Sequence, residues 1–349
     1  MPESSDSERR STILTYEEVR QHCTGGRASL LLGNGFSIAC DEIFTYRSLY
    51  EAAISAGLSS RAQEVFQRLG TNNFEGVMRL LELSHWVAQT YNLVRSGNSE
   101  MLVDLETIKR ALIEAIGSSH LHHPGEILEE RKEKAVEFLK QYRNVFTTNY
   151  DLLLYWITMN SDPPLFDDGF RNDPDDQDRL VVSFYSGDRK MFYLHGALHL
   201  YSEEGHLCKH RSGTDGLCLT DLIRESLNRG QIPLFVAEAS AEQKLHQISE
   251  NPYLTSCLGQ FSSMTGTLVI LGHSLGDTDG HILDAIVRNR RLSNLYVGLH
   301  GDPESSSNQV TQAAARKLRV QRAQLAQQYP LEVYFYDSET ARVWDDHAS

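Results

Sequence analysis

The stretch Ser29-Leu30-Leu31-Leu32-Gly33-Asn34-Gly35-Phe36-Ser37 constrains this chain more than any other. Three leucines run directly into a Gly-X-Gly turn, with a serine two residues further on. That order predicts a buried strand, a tight turn and a helix N-terminus. Such a turn presents backbone N–H groups and the positive end of a helix dipole to an anion. Glycine at 33 and 35 is expected to let a phosphate approach the backbone, since a side chain would stand in its way. The chain is therefore read as opening with a nucleotide-binding βα unit. The full G-x-G-x-x-G pattern fails at its last position, Ile38.

Composition narrows the class. With 349 residues, 40% hydrophobic and 23% charged, the chain has the make-up of a globular protein. Its net charge of −14 argues against general nucleic-acid binding, which leaves a basic footprint. An anionic small ligand stays compatible, because backbone amides can supply the local positive field. The longest apolar runs fall well short of the ~20 residues of a membrane span. Residues 1–10 are polar and lack the apolar core of a signal peptide, so a cytoplasmic location is expected. The five cysteines, Cys23, Cys40, Cys208, Cys218 and Cys257, form no C-x-x-C pair, so a four-cysteine zinc site is not expected.

Along the chain, helical stretches are predicted over Phe74–Val94, Leu102–Ile116 and Glu126–Leu139. Val77, Leu80, Leu81 and Trp86 mark the apolar spacing of the first. About a hundred mostly helical residues thus separate the first strand from the next, more than a mononucleotide-binding half needs. Part of this, from about Tyr46 to Phe138, reads as a helical insertion. Strands are predicted at Arg143–Phe146, Val181–Tyr185, Met191–Leu194, Pro233–Ala237, Thr267–Leu271, Leu295–Leu299 and Leu331–Tyr336, and Asp162–Asp178 reads as loop. Helices over about Asp279–Arg290 and Gln309–Gln328 fall between the last of them. Strands alternating with helices predict a Rossmann-like α/β fold with a mostly parallel sheet, the whole chain (1–349) forming one domain.

Four polar segments then sit at predicted strand ends: Gly33–Ser37, Thr147–Asp151, His195-Gly196 and Gly272–Ser274. Ligands of open α/β sheets bind outside the carboxyl ends of the strands, so four such ends can meet at one crevice.

With these residues in place, the chain resembles the Sir2-like (sirtuin-related) superfamily, and within it a bacterial family of stand-alone Sir2-like proteins, DUF4917-like. GNGFS at 33–37, TTNYD at 147–151, LHGALHL at 194–200, PLFVAEASAEQKLHQISENPYL at 233–254 and GHSLGDTDGHI at 272–282 carry the resemblance. It implies a Sir2/DHS-like sheet and NAD, or ADP-ribose, as ligand. Gly33, Asn34, Gly35, Phe36 and Ser37, with Thr148, would hold the dinucleotide, and Gly272 and Ser274 would lie on its adenosine side. Asn149 would sit near the nicotinamide ribose, and His195 would act as general base. The zinc ribbon of sirtuin deacetylases has no counterpart here, so no metal is expected and the acyl-lysine site is in doubt. The resemblance points instead to hydrolysis of NAD to nicotinamide and ADP-ribose, as in bacterial antiphage effectors. Activation would then require a homo-oligomer or an activating protein partner. Two other classes remain open: a non-catalytic nucleotide-binding sensor or interaction module, and a zinc-free deacylase or ADP-ribosyltransferase.

The chemistry suits the residues. Nicotinamide leaves a pyridinium as a neutral molecule, so no strong acid is needed, and the barrier lies in the oxocarbenium-like ribose. Asn149 can hold a water or a hydroxyl through an amide that does not titrate. His195 can take a proton near neutral pH. Asp151 can orient a neighbour, but a helix cap is the favoured reading. His195, His199, His206 and His210, with Cys208, match no zinc spacing, and solvated or hairpin positions are expected. His120, His122 and His123 read as exposed loop. A surface salt bridge is expected for Arg47, and helix-start roles for Asp277 and Asp279, with an adenosine hydroxyl as the alternative ligand of Asp279. Lys244 and His246 carry no separate signal.

Overall fold

The structure, a computed structural model, describes residues 13–344 apart from 24–27, 73, 94–99, 120, 160–162, 177–178, 184, 212–217, 230, 232 and 237–239. The polar segment 1–10, His120 and the predicted boundaries at Val94, Asp162, Asp178 and Ala237 lie outside the described residues.

In chain order, α1 (Tyr16–His22) precedes β1 (Ser29–Leu32) and α2 (Asn34–Cys40). Five helices follow: α3 (Tyr46–Ser55), α4 (Ser60–Leu69), α5 (Phe74–Thr90), α6 (Glu100–Ser119) and α7 (Glu129–Leu139). Next come β2 (Asn144–Thr147), α8 (Leu153–Met159), β3 (Phe170–Asn172), β4 (Leu180–Val182), β5 (Lys190–Tyr193), β6 (Gly196–Glu203), β7 (His206–Lys209), α9 (Leu219–Asn228) and β8 (Pro233–Phe235). The chain continues through α10 (Ala241–Glu250), α11 (Pro252–Ser263), β9 (Gly266–Leu271), α12 (Gly280–Arg288), β10 (Leu292–Leu299), α13 (Ser306–Ala326) and β11 (Glu332–Asp337).

Six strands form a parallel sheet in the order β11-β10-β9-β1-β2-β5. Leu30, Leu31 and Leu32 are fully buried, as a strand covered on both faces requires. The fold is the expected Rossmann-like α/β class, with helices α3–α7 inserted after the first βα unit. From β1 the chain proceeds outward through β2 to β5, then returns to the other side of β1 for β9, β10 and β11. The sheet therefore reverses direction between β1 and β9, the switch point beside which open α/β sheets bind ligands.

Register brings the strand ends level. Leu32 pairs with both Thr147 and Leu271, and Thr147 pairs with Tyr193. Gly33, Thr148, Leu194 and Gly272 therefore leave four laterally adjacent strands at the same height.

A second sheet departs from the sequence expectation. Strands β3-β4-β7-β6-β8 form a five-stranded antiparallel sheet, which takes in the first two residues of the predicted strand Val181–Tyr185 and the first three of Pro233–Ala237. The cause is the shortness of the β5–β6 link. A parallel neighbour needs a crossover of about a dozen residues, but only Leu194 and His195 separate β5 from β6. Gly196, at φ +80°, turns the chain out of the first sheet, and Glu204 and Gly205, at φ +50° and +82°, close the β6–β7 hairpin.

On α5, Phe74, Val77, Met78, Leu81, His85 and Ala88 face inward. Leu80 and Trp86, which the spacing groups with the apolar face, point outward, because Trp86 lies opposite Val77 and Leu81 on the helix and Leu80 lies on the flank of that face.

Candidate functional site

The β1–α2 turn is fastened to the loop after β9 by backbone. Gly33 N–H donates to Leu271 O at 2.9 Å, and Gly35 N–H donates to Gly272 O at 2.9 Å. Phe36 N–H turns back onto Gly33 O at 3.0 Å. A Cβ at Gly33 would lie 2.5 Å from Gly272 O, and one at Gly35 would lie 2.6 Å from Gly272 Cα. The glycines therefore serve the close packing of two loops, a demand on these positions that the sequence reading did not include. Gly272 adopts φ +71°, and the exposed Ser274 follows it at the rim. Beneath the turn, Phe36 is pinned by Trp344, whose Nε1 donates to Phe36 O at 2.8 Å. Asn34 Nδ2 donates to Phe44 O at 3.2 Å.

A buried polar chain joins this turn to the segment after β2. Asn149 Nδ2 donates to Gly33 O and to Ser37 Oγ, both at 3.0 Å. Ser37 Oγ donates to Asp151 Oδ2 at 2.5 Å. Asp151 Oδ1 accepts Leu153 N–H at 2.9 Å at the start of α8, the capping role favoured from sequence. Thr147 Oγ1 accepts Asn149 N–H at 3.0 Å, while Thr148 N–H donates to Leu32 O at 3.1 Å. Asn149 thus spends both amide hydrogens on the fold and keeps its Oδ1 as the remaining acceptor.

His195 belongs to a second cluster. It is 2% exposed, stacks on Tyr150 at 6.4 Å between ring centres, and places Nε2 2.8 Å from His281 Nε2. Around them, Asp279 is the anionic centre. Lys244 Nζ donates to Asp279 Oδ1 at 2.9 Å, and His195 Nε2 lies 3.8 Å from the same oxygen. His273 Nδ1 accepts Leu275 N–H at 3.0 Å, which puts the neutral ring's proton on Nε2. That Nε2 lies 3.2 Å from Asp279 Oδ2, close enough for electrostatic attraction without hydrogen-bond alignment. Burial pushes His195 well below the usual histidine range against the pull of Asp279, and pushes His281 down to about 4. Burial alone would raise the Asp279 carboxyl, but His273, His195 and Lys244 outweigh it and hold the group ionised.

His195, Asp279 and His281 bring three ligand atoms within 4.8 Å of one another. Two nitrogens on one tetrahedral zinc stand ~3.3 Å apart, whereas the 2.8 Å here is a hydrogen bond between imidazoles. The ammonium of Lys244 already sits on the carboxylate, so the cluster as built is a charge-balanced polar network.

Sequence reasoning found His195 but missed His281, Lys244 and His273, and gave Asp279 a helix-start role with an adenosine hydroxyl as the alternative. The signal lay in GHSLGDTDGHI, where three of the four residues cluster. Lys244 could not be linked to them without knowing that α10 packs on α12. His199, expected to be solvated or in a hairpin, is in the hairpin but fully buried between Tyr155 and Tyr193. His206 and His123 are exposed, and Arg47 makes the expected surface pair with Glu51 at 3.1 Å. A hollow of about 450 Å³ lined by Glu130, Glu133, Lys134, Phe138 and Arg342 shares no residue with either cluster.

Comparison with known proteins sets this geometry in context. No curated protein matches the chain. Among solved structures, a Sir2 homolog–NAD complex is similar with a TM-score of 0.34 and 12% identity, covering 91% of this chain and 100% of that one. The profile of the family described as "Domain of unknown function (DUF4917)" matches residues 30–344. The chain accordingly belongs to the DUF4917 family.

Proposed function

We propose that this chain binds NAD across the switch point between β1 and β9 and hydrolyses its nicotinamide–ribose bond. The observation that carries this reading is the level convergence of four strand ends, which brings the resemblance-bearing segments 33–37, 147–151, 194–196 and 272–274 to one edge of the sheet. In this reading the dinucleotide lies along Gly33–Ser37 and Thr148, with Gly272 and Ser274 toward the adenosine.

Hydrolysis breaks the C1′–N bond. Nicotinamide leaves as a neutral molecule with the bonding electron pair, and water adds to the ribose carbon and loses a proton. Asn149 Oδ1 orients the water or a ribose hydroxyl. His195 receives the proton at Nδ1, because its Nε2 is engaged by His281. That role selects the tautomer in which His195 Nε2–H donates to His281. Asp279 stabilises the imidazolium as it forms, and Asp151 supports Asn149 through Ser37. Both Asn149 and His195 are buried, so the ribose reaches them only when the surrounding side chains shift. The chain then acts as one domain with residues 46–138 as an insertion, in the cytoplasm, as a defence effector that awaits a trigger.

A second reading, a nucleotide-binding module without catalysis, is favoured by one observation. The Asn149 amide hydrogens and the N–H groups of Gly33, Gly35 and Phe36 are all bonded within the protein. Nicotinamide release from NAD by the purified chain decides between them. The hydrolase reading expects release that falls by roughly two to four orders of magnitude in His195→Ala. Equal release by the folded variant removes His195 as the base, and NAD binding without release favours the module.

A further inference from the structure

The outer face of α5 carries a run of exposed apolar side chains that the proposed chemistry does not use. Leu80, Leu83, Trp86, Val87 and Tyr91 run along one side of this helix and past its end, and Leu93 follows, with exposures from 38% at Leu80 to 76% at Leu93. The inward face is complete without them, being formed by Phe74, Val77, Met78, Leu81 and Ala88. The end of the helix holds the last two residues of the stripe outward. Asn92 takes a left-handed φ of +55°, and Leu93 N–H closes on Ala88 O at 2.8 Å.

We propose that two copies of this chain pair through this face of α5. Area is the first argument. Trp86 and Tyr91, at 66% and 71% exposed, alone offer on the order of 300 Å². With the four aliphatic side chains the stripe approaches the ~800 Å² per partner that a stable interface buries. It exceeds what a monomer ordinarily leaves open as one patch. Charge is the second argument. The chain carries −14 overall, so copies repel over most of their surface. The stripe is nearly free of charge. Arg79 flanks it, and Glu82, at its border, is occupied by Gln243 Nε2 at 2.8 Å.

Self-complementarity is the third. A twofold axis level with position 85 of α5 runs two such helices antiparallel and sets Leu83 against Val87 and Leu80 against Thr90 of the second copy. It also sets Arg79 against the second copy's Tyr91, a cation–π pairing at each end. A single surface thereby satisfies both copies.

Sedimentation equilibrium across micromolar concentrations tests this without reference to any activity. The expected mass is twice the 39.5 kDa of the chain. Trp86→Glu and Leu83→Arg, both at exposed positions, should weaken dimerisation at least tenfold while circular dichroism stays unchanged. Val310→Glu, at an equally exposed apolar site on α13, should leave the dimer intact. A wild type that remains at monomer mass overturns the proposal, even if the stripe captures vesicles or another protein. A dimer that survives Trp86→Glu in a folded chain overturns it as well.

Discussion

Four histidines of this protein, His195, His199, His210 and His281, are held toward neutrality. His195 and His199 are held well below the ordinary range by burial, and His281 and His210 are pushed down to about 4 by the same cause. In the unfolded chain each titrates near 6.5. Above that pH both states are neutral and the histidines leave stability unchanged. Below it the unfolded chain takes up protons that the native state refuses until about pH 4, so stability falls as pH drops through this window. Asp279 acts in the same sense, but its contribution is lost only below the ordinary carboxylate range, outside the window. Urea midpoints should therefore decline steadily from pH 6.5 toward pH 4.5. His199 has no hydrogen-bond partner at either nitrogen among the described residues. His199→Leu should accordingly flatten the slope by up to one proton, about 1.4 kcal/mol per pH unit, and a slope unchanged in the variant would show that His199 titrates normally. Sequence could single out His195 by its place after a predicted strand. It could not show that an imidazole 86 positions away would hold its Nε2, because that contact depends on how α12 meets the β5–β6 link.

The β1–α2 turn and the loop after β9 behave as one element. Gly33, Gly35 and Gly272 pack backbone against backbone, and each would lose that fit with a side chain. Gly35→Ala should destabilise the fold by about 1–3 kcal/mol through overpacking, read as a lowered urea midpoint. A variant with an unchanged midpoint that loses only nucleotide affinity would show that this glycine serves phosphate approach and not loop packing. The turn was legible because three leucines before a Gly-X-Gly leave few alternatives to strand and turn. The long helices were legible to within a few residues for a similar reason, as with α13 (Ser306–Ala326) against the predicted Gln309–Gln328. The antiparallel sheet was not. Four of its five strands span only three or four residues, and β6, β7 and β3 carry no periodicity that separates them from parallel neighbours. On α5, Leu80 and Trp86 look like core residues in a list of apolar positions, and only their angular placement puts them outside.

At the scale of the whole chain, one sheet that reverses direction beside β1 gathers residues separated by more than two hundred positions. That convergence was anticipated from four polar segments following predicted strands, and the register makes it level. How tightly the site is closed was not anticipated. Asn149, Ser37 and Asp151 form a buried hydrogen-bonded chain, and Asp279 is balanced by Lys244 and His273, so the same residues that suit the chemistry also hold the fold together. Nothing in the spacing of a sequence separates a polar group aimed at a ligand from one aimed at its neighbour. The most direct test of the account is isothermal titration of NAD into the folded chain, repeated with ADP-ribose. One saturable site per chain for both nucleotides, retained in His195→Ala, is the expected result. A folded chain that gives no heat and no competition with either nucleotide, as monomer or as dimer, would contradict the assignment of the β1–β9 edge to NAD.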